Sequence, residues 1–97
     1  MRVRVFPLRR HGRRMERADL ADGIPGDLRM FSMVHGSEMH MVARLSSRAD
    51  RGASHEELLP PLYRPELVAV GENALLLRGF QSIDGTAYVQ EWRCLVD

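Results

Sequence analysis

A mainly β fold, an antiparallel barrel or roll of six strands with one or two short helical turns, is what this chain predicts. Two hairpins carry the prediction. Asp84-Gly85 is the preferred central dipeptide of a type I′ turn, where both positions need φ > 0. Placed at a hairpin tip, it sets Gln81 opposite Tyr88, Phe80 opposite Val89, Arg78 opposite Glu91, Leu77 opposite Trp92 and Leu75 opposite Cys94. One face then holds Leu75, Leu77, Tyr88, Trp92, Cys94 and Val96, and the other an Arg78–Glu91 ion pair. Opposite charges falling directly across from each other support that register.

The second hairpin runs from Leu28 to Leu45 and turns at Gly36-Ser37. Leu28, Met30, Ser32 and Val34 share a face with Met39, Met41, Ala43 and Leu45. The opposite face carries Arg29, Phe31, Met33, His35, Glu38, His40, Val42 and Arg44. Strict alternation of this kind marks a ribbon with one core side and one more polar side.

The remaining elements follow in order. Arg2 to Leu8 alternates Arg-Val-Arg-Val, which predicts a strand with Val3 and Val5 inward and Pro7 at an edge or an end. Met15 to Ala21 has room for about two helical turns. Residues 21–27 read as loop, punctuated by Gly23, Pro25 and Gly26. Residues 46–65 read as a long connection; Ser54-x-x-Glu57 fits a capping box, and Pro60-Pro61 stops any helix within two turns. Leu67 to Val70 is a strand, and residues 66–97 form a three-stranded meander. The outline loosely resembles an oligonucleotide-binding barrel, three strands, a helix and two more, with one strand added.

Ninety-seven residues make a single domain with one core. Hydrophobic residues at 44% and charged residues at 28% exclude wholesale disorder. The longest apolar run, Ala74 to Leu77, is strand-sized, so no membrane partner is expected. The N-terminus lacks the apolar stretch of a secretory signal, and a single cysteine, Cys94, precludes an internal disulfide. A bacterial cytoplasm is the expected setting.

All fourteen basic residues are arginine, which a GC-rich genome explains most simply. Their distribution is uneven. Residues 1–17 hold seven arginines against Glu16 alone, a balance of +6; residues 18–97 hold seven against twelve acids, a balance of −5. That asymmetry is the strongest functional signal in the sequence.

Catalytic motifs are absent: there is no Gly-x-Ser-x-Gly, and a chain without lysine has no Walker loop. No enzymatic activity and no cofactor are expected. Cys94 reads as a small buried hydrophobe. Met30, Met33, His35, Met39, His40 and Met41 invite a copper reading, but Met30, Met39 and Met41 fall on the predicted core side, where methionine fills gaps. Met33, His35, Glu38 and His40 remain on the outer side near the tip, where two histidines and a carboxylate could hold zinc or copper, but that site is exposed and has no neighbours to fix its imidazoles. The expectation is therefore packing, with no metal.

Two binding readings stand. In the first, the module self-associates as a homodimer or docks a protein partner, because Phe31, Val42, Leu76, Phe80 and Val89 lie opposite the faces assigned to the core. In the alternative it binds nucleic acid, with Arg9, Arg10, Arg13 and Arg14 on phosphates, and Arg29, Phe31 and Arg44 forming a sheet patch where a base can stack. Arg9-x-x-x-Arg13 and Arg10-x-x-x-Arg14 also resemble the Arg-x-x-x-Arg of PilZ domains, β-barrels that bind cyclic di-GMP. That resemblance spans five residues without the companion Asp/Asn-x-Ser-x-x-Gly, and no family follows from it.

Overall fold

Six antiparallel strands close into a barrel in the computed structural model, which describes residues 1–8, 23–46 and 59–97. They are β1 (Arg2–Pro7), β2 (Ile24–His35), β3 (Glu38–Ser46), β4 (Leu62–Val70), β5 (Ala74–Ile83) and β6 (Thr86–Val96). Each pairs with the next in sequence, and β1 returns to pair with β6. The topology is thus an up-and-down meander, which departs from the Greek-key order of an oligonucleotide-binding barrel. The proposed helix at Met15–Ala21 and the capping box at Ser54 lie outside the described residues.

The closing hairpin has the expected register throughout, including Leu77↔Trp92, Arg78↔Glu91 and Phe80↔Val89. Asp84 and Gly85 take φ values of 51° and 80°, the left-handed pair a type I′ turn requires. Arg78 donates to Glu91 Oε2 from both Nε and Nη2, at 3.1 and 3.0 Å. The β2–β3 register is also as expected, from Leu28↔Leu45 to His35↔Glu38.

Val3, Val5, Ile24, Leu28, Ala43, Leu45, Leu59, Leu62, Leu77, Trp92 and Cys94 form the core. Every strand except the distal parts of β2, β3 and β4 contributes to it by alternation. β1 is not an edge: Val5 pairs with Ile24 on one side and Cys94 on the other, and Pro7 ends the strand.

Above the aliphatic core the barrel interior is polar. Gln81 and Gln90 are fully buried. Gln90 Nε2 donates to Gln81 Oε1 at 3.2 Å, Gln81 Nε2 donates to the Pro60 carbonyl at 2.8 Å, and Gln90 Oε1 accepts from the Glu91 N–H at 2.8 Å. The two amides tie the approach to β4 onto β5 and β6.

Three expectations are corrected. β2 begins at Ile24, inside the segment read as loop, and β4 begins at Leu62, inside the predicted connection 46–65. Pro65 hid β4. It sits at a bulge, beside Arg64 at φ 51°, where the β4–β5 register shifts. A bulge is one of the few places a strand tolerates proline. The third correction concerns burial. Met30, Met39 and Met41 do share a face with Leu28 and Leu45, but all three are exposed, as is Val34 at 72%. The ribbon outruns the barrel, so its core-side face continues into solvent.

Candidate binding surface

A direct cross-strand partner projects its side chain from the same side of the sheet. On that rule, five residues on five strands fall into one row. Phe31 pairs with Val42, Val42 with Tyr63, Tyr63 with Phe80, and Phe80 with Val89. On β3 to β6 a neighbour of each member is buried (Ala43, Leu62, Gly79 and Gln81, and Gln90), so the row lies on the face opposite the barrel interior. Phe31, Phe80 and Val89 are exposed, Phe80 at 46%. Tyr63 is half-buried, its ring tilted against His40 at a centroid distance of 6.1 Å.

Four of the five residues expected at an interface are in this row. Val42 is present but is only 1% exposed, so it supports the band from beneath and offers no surface of its own. Its partners Phe31 and Tyr63 flank it on either side. Leu76 projects from the same side of β5 four residues from Phe80 and is half-buried, away from the row. It borders an open, mainly apolar groove of about 370 Å³ with Leu8, Val70 and Arg93. Tyr63 is the member that sequence reasoning missed, because Pro60, Pro61 and Pro65 mask the alternation of its strand.

Arg29 and Arg44 are cross-strand partners one step along from Phe31 and Val42, and both are exposed. The structure therefore brings together the Arg29, Phe31 and Arg44 cluster. Arg9, Arg10, Arg13 and Arg14 lie outside the described residues. On the other side of the band, Glu66, Arg78 and Glu91 form a row of alternating charge.

A second feature arises at the β3–β4 seam. These strands pair only at Val42↔Tyr63 and Ala43↔Leu62. Continued pairing would bring Pro65, which has no N–H, and the left-handed Arg64 against β3. β4 bulges away instead. The opening is a groove of about 480 Å³ lined by Glu38, Met39, His40 and Met41 on one side, and Arg64, Pro65 and Glu66 on the other. Arg64 Nη2 reaches across to Glu38 Oε2 at 3.2 Å.

Cys94 is fully buried, and that burial pushes its thiol up to about 11. A nucleophilic thiolate needs the opposite shift. No group of three or more His, Cys, Asp or Glu converges among the described residues. No helix there is long and apolar enough to cross a membrane.

Compared with known proteins, the chain matches no family model, no curated protein and no solved structure. What fold and surface define is a class: a closed six-stranded meander barrel carrying an apolar band on its outside.

Proposed function

We propose that this protein is a small, non-enzymatic binding module that self-associates through its outer band. The single observation supporting this is the Phe31–Val42–Tyr63–Phe80–Val89 row. An interior this small is filled by the inward residues, so the band is surplus to one core. Burying an exposed Phe or Val side chain is worth about 1.5–3 kcal/mol, and a two-fold dimer lets one patch cover its own copy.

Light scattering after size exclusion tests the reading. The wild-type chain is expected as a dimer, with Phe80→Glu shifting it to monomer while circular dichroism is unchanged. A wild-type monomer at high concentration overturns self-association.

Nucleic acid is the second reading, favoured by one observation: the Arg29–Arg44 pair sits directly beside exposed Phe31. Running the same column with mixed oligonucleotides addresses it. Co-elution that weakens steeply with salt and with Arg29→Ala supports this reading.

A further inference from the structure

A second apolar surface lies apart from the outer band, beside the β4–β5 turn. Phe6, Arg93, Leu76 and Ala69 are successive cross-strand partners on β1, β6, β5 and β4, so all four project from the same outer face. Leu8 follows β1 beside this row, its N–H donating to the Glu91 carbonyl, and Ala74 opens β5. Leu8, Ala69, Ala74, Leu76 and Arg93 share a groove of about 370 Å³, bordered by Val70 and Gly71 where β4 ends.

We propose that this groove binds one aliphatic carboxylate, with its chain along Leu76 and its head on the Arg93 guanidinium.

Three observations support it. The first is size. The groove falls within the range of small-molecule sites, about 300–1,000 Å³. At about 30 Å³ for a water-sized group it has room for about a dozen heavy atoms, a chain of about ten carbons with its carboxylate. The second is the lining, which is apolar apart from Arg93, its one charged residue. Charge complementarity therefore selects an apolar body with an anionic head; a neutral chain leaves the guanidinium unused, and a cationic one is repelled.

The third is that Arg93 is uncommitted. Among the described residues it has no ion pair, and its Cζ lies 6.0 Å from the centroid of the Phe6 ring. Glu91, two residues away on the same face of β6, instead accepts from both Nε and Nη2 of Arg78. An aromatic face attracts the Arg93 charge but offers no acceptor oxygen for its N–H fork. A carboxylate supplies two, in the planar geometry a guanidinium matches.

The test is a two-dimensional NMR titration of the full-length protein with decanoate below its micellar concentration. Saturable one-to-one shifts are expected at Leu8, Ala74 and Leu76, with a Kd below about 1 mM. Decanol, the same chain without the charge, should bind more weakly, and acetate, the head without the chain, should not bind. Arg93→Gln should weaken decanoate by roughly two- to fivefold, the scale of an exposed ion pair, and leave decanol unchanged. Ala69→Glu, at an exposed position on the same row, brings a carboxylate into the groove and should weaken decanoate further. Circular dichroism of each variant checks that the barrel remains folded. Vesicles of phosphatidylcholine and phosphatidylserine, run in parallel, should not sediment the protein. Absence of saturable shifts with decanoate overturns the proposal, as do equal affinities for decanoate and decanol, shifts centred on Phe31 and Phe80, or wild-type affinity in Arg93→Gln. Sedimentation with vesicles in the absence of decanoate binding would assign the groove to a lipid surface and overturn it equally. Phe80→Glu is expected to keep decanoate binding, which separates this outcome from dimerisation through the outer band.

Discussion

Gly79 on β5 faces β4 with no room for a side chain: a Cβ there would sit 2.7 Å from the Tyr63 carbonyl oxygen and 2.8 Å from Leu62 Cγ. The first contact is backbone, so no rotamer relieves it. Gly79 thereby lets Leu62 fill the core while Tyr63, the next residue, turns outward into the apolar band. Cys94 shows the same economy in its chemistry. Its thiol makes only a long contact, 3.9 Å, to the Trp92 carbonyl, and burial holds it protonated. The folded-state value, about 11, lies above the ordinary 9, so the stability this gives is complete below pH 9. It is lost as pH rises from about 9 through about 11, since the unfolded chain ionises first. Urea titrations should show Cys94→Ala losing less stability than wild type across that interval. Equal losses in the two proteins would mean that the thiol is not the titrating group.

At the scale of strands, the sequence is most legible where a turn dipeptide pins a register. Asp84-Gly85 fixes ten pairs of the β5–β6 hairpin, and Gly36-Ser37 fixes the nine of β2–β3. Alternation assigns faces correctly in both. What it does not encode is how far a ribbon remains inside the barrel, and so Met30 and Met39 are exposed on a face that begins with Leu28. β4 fails differently. Two bulges break its alternation, and three prolines in six residues read as loop. Arg64 is the cause of the seam's shape that is open to test, because a side chain at φ 51° costs roughly 1–2 kcal/mol. Glycine there removes the strain, while the exposed Arg64–Glu38 pair is worth little in water. Arg64→Gly is therefore expected to be neutral or stabilising by up to about 1 kcal/mol, after glycine's own entropy cost. A loss of more than about 1 kcal/mol would show that the ion pair holds the groove together.

Closure of the whole molecule depends on its shortest strand. β1 has six residues and, among the described residues, is what bridges β2 and β6. Its main chain reaches beyond the ladder on both flanks: Leu28 N–H donates to the Met1 carbonyl at 2.8 Å, and Leu8 N–H to the Glu91 carbonyl at 2.9 Å. Nothing in the sequence gives this register, because no tight turn joins β1 to either neighbour; only the inward Val3 and Val5 mark its buried face. Val5 is fully buried between Ile24 and Cys94, so the strand cannot leave without opening the core. One cooperative unit should result. Val5→Ala is expected to cost roughly 2–3 kcal/mol, from two lost methyl groups and the cavity they leave. Three probes would follow the same transition: Trp92 fluorescence, Cys94 labelling and far-ultraviolet circular dichroism. Both reporters lie on β6, opposite Pro7 and Val5 of β1, and both are fully buried. Cys94 labelling at denaturant concentrations where Trp92 fluorescence is still native would instead mean that β1 detaches alone, leaving an open five-stranded sheet.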